Sequence, residues 1–230
     1  MTSPGETSAR ENNLSPYSAS DLRRRAAGTL LPDVPDGIFE PDQRSSRGDH
    51  ELNPETGADG ARDQIDRPAA VLIPVVDREP EATVLFTQRT DHLPNHAGQI
   101  SFPGGKIEES DAGPRAAALR ETEEEIGLAS SLISPLGFLD IYQTGTGFRI
   151  APMLGIVSAG FTLQPDPTEV ADVFEVPLRF LMTVENHHKH SLFWRGRDRL
   201  YYAIPYGDRY IWGATAGIIR VLFERLYRKC

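Results

Sequence analysis

The stretch AAVLIPVV, residues 69–76, is a continuous apolar run. Such a run without alternation reads as a strand buried in the middle of a sheet. ATVLFTQR (82–89) reads as a second strand, and REPEA between them as a turn, so the two form a hairpin. A buried strand needs partners. SPLGFLDIYQ (134–143) and FRIAPMLGIVS (148–158) read as further strands. EVADVFEVPLRFLM begins extended and ends in a short helix, and SLFWRGRDRLYYAIPYGDRYIWG reads as strands joined by a turn at 205–208. GPRAAALRETEEEIGL is a helix with Pro114 in its first turn, Ser110 or Asp111 to cap its entry and Gly127 to end it. ATAGIIRVLFERLYRK is a terminal amphipathic helix. The expected fold class is therefore α/β (α+β), a mixed β-sheet sandwiched between helices, over about residues 67–230.

Residues 1–66 differ in kind. They are polar, rich in Pro, Ser, Asn and Asp, and read as a largely disordered N-terminal extension. Within it SDLRRRAAGTLL (20–31) has helical spacing at Leu22, Ala26 and Leu30, with Ser20 as cap. Its Arg23–Arg25 run reads as a solvated helix face, with a partner site as the rival. The net charge of −9 argues against binding a nucleic-acid polymer or an anionic membrane, which need basic patches. Cys230 is the sole cysteine, which excludes a disulfide framework. No apolar run reaches a bilayer span and the N-terminus has no apolar targeting core, so the expected compartment is the cytoplasm.

GGKIEESDAGPRAAALRETEEEIGL, residues 104–128, carries the chemistry. On a helical wheel Leu119, Thr122 and Ile126 share one side, facing the core, while Glu121, Glu124 and Glu125 share the other. Unpaired, like charges at this spacing repel. A divalent cation would reverse the sign, and hard oxygen ligands suit Mg²⁺, Mn²⁺ or Ca²⁺. Arg120 lies four residues before Glu124 and can hold it. An isolated acidic run is usually a solvated face. Here it follows the glycine turn FPGGK, which lets backbone approach a ligand.

The stretch resembles the Nudix box, G-x5-E-x7-R-E-U-x-E-E-x-G-U with U apolar. Gly105 opens it, and Arg120, Glu121, Thr122, Glu124, Glu125, Gly127 and Leu128 fill its second half. Asp111 stands where Glu is usual, and eight residues rather than seven separate it from Arg120. Upstream, LFTQRTDHLPNHAGQISFPGG (85–105) resembles the coenzyme A diphosphatase signature, L-L-T-K-R-S-x3-R-x3-G-x3-F-P-G-G. Leu85, Thr87, Arg89, Gly98, Phe102, Pro103, Gly104 and Gly105 match it; Gln88, Thr90 and Pro94 depart. That subfamily commonly shares the longer box and the Asp.

The resemblance implies a Nudix fold and metal-dependent hydrolysis of a diphosphate linked to another moiety, with Mg²⁺ or Mn²⁺ as cofactor. It implies Glu121 and Glu125 as metal ligands, with Glu124 as a third ligand or the partner of Arg120. The backbone near Gly104 or Gly105 completes the shell. Arg89 would pair with a phosphate, and His96 and Gln99 offer directed hydrogen bonds to substrate. Glu169 is the candidate general base, ahead of Asp172 and Glu175, with a plain loop role for Glu169 or a box glutamate as the base the rival readings. Arg120, Glu124 and Glu169 thus form the expected catalytic set. The implied partner is a small nucleotide-type molecule, with a homodimer left open. Coenzyme A or its acyl derivatives head the substrates. NADH, ADP-ribose and nucleoside triphosphates are the rivals within the enzyme class, and a non-catalytic nucleotide-binding regulator or a plain ion binder the rivals outside it. ENHHKH (185–190) reads as a polar loop rather than a metal site, and Trp194, Tyr201, Tyr202, Tyr206 and Trp212 read mainly as packing groups.

Overall fold

The computed structural model describes residues 15–35, 37–40, 47–54, 67–92, 97–194 and 196–228. His96, Pro94 and Cys230 lie outside them. In chain order the elements are α1 (Ala19–Ala26), β1 (Arg47–Gly48), β2 (Arg67–Val76), β3 (Thr83–Arg89), β4 (Ile100–Ser101) and β5 (Gly104–Lys106). Then come α2 (Pro114–Ile126), β6 (Ile133–Phe138), β7 (Tyr142–Gln143), β8 (Phe148–Val157), β9 (Val170–Pro177) and α3 (Leu178–Leu181). β10 (His188–Trp194), β11 (Arg197–Tyr206), β12 (Arg209–Trp212) and α4 (Ala214–Leu226) complete the chain.

The unalternating run of residues 69–76 does become a central strand. β2 pairs in parallel with β8 over ten residues, from Arg67 opposite Phe148 to Val76 opposite Val157. On its other side it pairs antiparallel with β3 and β5. The sheet is mixed, because β1–β7 is also parallel while the remaining pairs are antiparallel. Side chains of β2 go alternately into two cores. Ile73 and Val75 join the core beneath α1 and α4, and Ala70, Leu72 and Val76 join the core beneath α2. A sheet between helices is thus the observed architecture. β10, β11 and β12 form a separate antiparallel sheet. Its Ile204 and Ile211 are buried in the core that also receives α4.

Parts of the first 66 residues are built into this body. Ala19, Leu22 and Ala26 of α1 are buried in the α4-side core. The cap of α1 is Ser18 rather than Ser20, because the Ser18 hydroxyl accepts the Asp21 N–H at 3.2 Å. The arginine run is a solvated face only in part. Arg24 and Arg25 pair with Asp21 at 2.5 and 2.7 Å, and Arg25 also lies 4.5 Å over the Tyr227 ring. Tyr17 stacks on Tyr227 with centroids 5.3 Å apart, tying the start of the described chain to its end. Further on, Asn53 docks on β11. Its side-chain amide donates to Leu200 O at 2.9 Å, and its side-chain oxygen accepts Leu200 N–H at 2.8 Å. Asn53→Ala should lower stability by about 1 kcal/mol, roughly 2–4 °C in melting temperature for a chain of this size. A thermal melt monitored by circular dichroism checks this. An unchanged melting temperature would mean the dock adds nothing. No helix among the described residues is long and apolar enough to cross a membrane.

Candidate active site

The acidic helix is entered and left through glycines. Pro114 occupies its first turn, and its cap is Gly113, with no side-chain capping bond. Neither Ser110 nor Asp111 caps it. Asp111 is drawn away because Arg120 grips it with two bonds, at 2.9 and 3.0 Å, while it accepts the Glu108 N–H at 2.8 Å. These bonds hold the Asp111 carboxyl below its ordinary range, the Arg120 guanidinium being the largest cause. Gly127 ends the helix in the left-handed conformation, φ 68°, with its N–H on Glu123 O.

The glutamates separate into two environments. Glu124 is largely exposed and pairs with Arg120 at 2.8 Å, an i, i+4 contact on the outer face. Arg120 also donates to Glu121 at 3.0 Å. Glu125 does not share that outer face. It is 7% exposed, because β5 passes over it and Gly104 N–H donates to its Oε2 at 3.2 Å. Burial pushes the Glu125 carboxyl up to about 8, against the pull of Gly104 and Arg89, with the charges of Glu121 and Glu169 adding to the rise. Burial also raises Glu121; Arg120 opposes the shift and Glu124 and Glu169 add to it. Leu119, Thr122 and Ile126 pack inward, as the wheel requires.

The glycine turn is what admits this helix. In β5, Gly105 lies opposite Ala70 and Gly104 opposite Val71. A Cβ on Gly105 would stand 2.5 Å from the carboxylate carbon of Glu121. Gly104 has φ +145°, and a Cβ there would meet Ala70 O at 2.4 Å. A side chain at Gly104 would strike rigid backbone, and one at Gly105 would displace the Glu121 carboxylate.

The upstream motif meets the box here. Arg89, at the end of β3, places its guanidinium 3.8 Å from Glu125 Oε1 and 3.9 Å from Glu169 Oε2. The Gln99 carbonyl accepts the Arg89 N–H at 2.9 Å and fixes that strand end. Glu169 is carried by a loop stapled to the helix terminus. Gln164 N–H donates to Ile126 O and Asp166 N–H to Glu125 O, each at 2.9 Å. Asp166 then accepts both the N–H and hydroxyl of Thr168 at 2.8 Å. The D-P-T triplet signals such a side-chain-closed turn, but nothing local says that the turn docks on α2. A β-bulge between Gln88/Arg89 and β9 sets Arg89 opposite Val170, so that Thr90 N–H reaches Glu169 O at 2.9 Å.

Other candidates lie apart from this centre. Arg209 of β12 binds Asp172 and Gln88, both at 2.5 Å, and covers the Phe174 ring at 4.5 Å. Glu175 is held by Arg78 at 2.7 Å and by Thr83. Neither acid joins Glu121, Glu125 and Glu169. His187 points its Nε2 at Leu181 O, 2.7 Å away, while His188 and His190 are exposed on β10. His190 bonds Tyr210 at 2.9 Å.

Glu121, Glu125 and Glu169 offer carboxylate oxygens, the kind of donor a hard divalent cation takes, with the Gly104 N–H and the Arg89 guanidinium beside them. Burial raises both Glu121 and Glu125, with neighbouring carboxylate charges adding to the rise, and a bound cation would offset that cost. The bare Gly105 leaves the Glu121 carboxylate room against β5. The donor set therefore fits a divalent ion. Among the described residues no three acidic, His or Cys side chains already stand as a closed ligand group.

The NUDIX domain model matches residues 66–200. An uncharacterized Nudix hydrolase NudL from Yersinia pestis (strain Pestoides F) is 39% identical over 160 residues, 70% of this chain and 80% of the relative. The same protein from Yersinia pseudotuberculosis serotype O:3 (strain YPIII) matches equally, at 39% over 160 residues. Among solved structures, the NUDIX domain of Shewanella oneidensis NrtR with ADP ribose aligns at 17% identity and a TM-score of 0.45, covering 76% of this chain and 98% of that one. RenU, a Nudix hydrolase from M. Smegmatis, aligns at 19% and 0.42, covering 51% and 73%. With the family model spanning more than half of its residues and a relative 39% identical over 80% of its own length, this chain belongs to the Nudix family and is a Nudix hydrolase.

Proposed function

We propose that this chain hydrolyses the diphosphate bond of coenzyme A or its acyl derivatives, with Mg²⁺ or Mn²⁺ as cofactor. Water and coenzyme A would yield 4′-phosphopantetheine and adenosine 3′,5′-bisphosphate. The observation that carries this reading is Arg89 of the upstream signature standing between Glu125 of the box and Glu169. Two motifs separated along the chain thus serve one place.

Glu121 and Glu125 would hold the divalent ion, and the ion would offset phosphate charge and lower the pKa of a bound water. Glu169, largely exposed beside Arg89, would accept that water's proton. Among the described residues the Arg89 guanidinium makes long contacts with these two carboxylates, and turning its planar donors to a phosphate breaks no short bond there. Arg120 positions Glu121 and Glu124 and is fixed in turn by Asp111. The signature's basic residue is Gln88 here, and Arg209 donates to that Gln88 side chain. A guanidinium therefore stands beside the position where the signature has its cation.

A second reading has its own support. Gln88, Thr90 and Pro94 all depart from the signature, which favours a different nucleoside diphosphate derivative such as NADH or ADP-ribose. Product analysis separates the two. The purified chain is incubated with coenzyme A, NADH, ADP-ribose and 8-oxo-dGTP in Mg²⁺ or Mn²⁺, beside Glu169→Gln. Adenosine 3′,5′-bisphosphate from coenzyme A, diminished in the variant, is the expected result. Turnover of another substrate alone would replace coenzyme A with that substrate.

A further inference from the structure

We propose that β10 is a dimerisation strand, pairing antiparallel with β10 of a second copy of this chain. β10 is the outer strand of its sheet, and among the described residues β11 alone pairs with it. From His188 to Phe193 every side chain is exposed, whichever face it points to. A strand exposed on both faces, with an apolar side chain on each, is uncommon on a lone monomer.

The two faces can be assigned from the pairing. Residues opposite each other across β10–β11 share a face, so Leu192 goes with Arg199 and Phe193 with Asp198. Arg199 lies 4.3 Å over the Trp194 ring, which puts Trp194 on the Leu192 face. Leu192 is 50% exposed on one face and Phe193 70% on the other, and Leu200, at 43%, shares the Phe193 face. A partner docking flat on one face would leave the other apolar group in water. A strand added to the edge flanks both faces at once, and it satisfies the outward backbone groups.

The strand's own sequence selects a second copy as that partner. HKHSLFW is basic at its start and apolar–aromatic at its end. Antiparallel pairing about Ser191 sets Lys189 opposite the partner copy's Phe193, His190 opposite its Leu192, and His188 opposite its Trp194. Each cationic or imidazole group then meets an apolar or aromatic one, twice over through the two-fold axis. Parallel pairing would instead stack lysine on lysine. The product is one continuous six-stranded sheet, running β12-β11-β10 in each copy.

Sedimentation analysis of the full chain, from low- to high-micromolar concentration, tests this. The parent protein should be a dimer. Phe193→Lys sets a like charge opposite Lys189 at both symmetry-related positions and should weaken dimerisation at least ~10-fold. The residue is exposed, so circular dichroism should show the fold unchanged. Adding Lys189→Glu to Phe193→Lys recreates an opposite-charge pair in this register and should recover the dimer. A monomeric parent, a dimer indifferent to Phe193→Lys, or a double variant that stays weakened would each overturn the proposal.

Discussion

Glu125→Gln should abolish hydrolysis while leaving the metal-free protein at least as stable as the parent. The two halves of this result have one cause. Glu125 is buried beneath β5, with Glu121 and Glu169 raising its electrostatic cost and only Gly104 N–H and Arg89 offsetting it. Such a carboxylate does not help the chain fold without a cation. Glutamine keeps the shape and can still accept the Gly104 N–H, so the melting temperature in chelator should hold or rise. The same substitution removes a charged oxygen from the proposed ion site. Losing several kcal/mol of transition-state stabilisation corresponds to a drop of about a thousandfold or more in kcat. A variant active to within ~10-fold of the parent, or one that melts well below it in chelator, would contradict this account.

Gly105→Ala should also be inactive, but for a reason that its neighbour Gly104 makes visible. Gly105 has no left-handed backbone, and the atoms an added methyl would meet are the carboxylate of Glu121, at 2.5–2.6 Å. That carboxylate is the far end of a flexible side chain. It can move aside at small cost to the fold, and a ligand displaced by about 1 Å costs roughly a hundredfold in rate. Gly104→Ala differs. Its methyl would strike the Ala70 carbonyl and the Val71 Cα from a φ of +145°. Rigid backbone on both sides should make that change cost ~3 kcal/mol or more. Melting curves and initial rates for the two variants therefore separate: Gly105→Ala folds and fails to turn over, and Gly104→Ala folds poorly. Normal rates in Gly105→Ala would mean that Glu121 holds nothing the reaction needs.

Local chemistry explains which parts of this were legible in the sequence. The apolar run at 69–76, the proline–glycine punctuation around residues 114–126 and the amphipathic C-terminal stretch each carry their own period or breaker, and all became the expected elements. The box residues could be named because their spacing is regular. What remained hidden depends on groups distant in the chain. The wheel put Glu125 outside because it describes one helix; β5 passing overhead makes that position buried. Ser18 displaced Ser20 as the cap of α1, where Tyr17 meets Tyr227 across the whole chain. The pairing of Asp172 and Gln88 with Arg209 joins three strands, and no local pattern in any of them signals it. Likewise Asp111 reads as a helix cap by position, yet Arg120 nine residues later takes it.

On the proposed mechanism Glu121 and Glu125 hold the cation under the glycine turn, with Glu169 beside it. Titrating Mn²⁺ into the chelator-treated chain, and following the free-ion signal by electron paramagnetic resonance, measures this directly. The parent chain should bind Mn²⁺ saturably, with binding sharply weakened in Glu125→Gln and in Gly105→Ala and little changed in Glu175→Gln, whose carboxylate is held by Arg78. Equal Mn²⁺ binding in the parent and Glu125→Gln would contradict this mechanism.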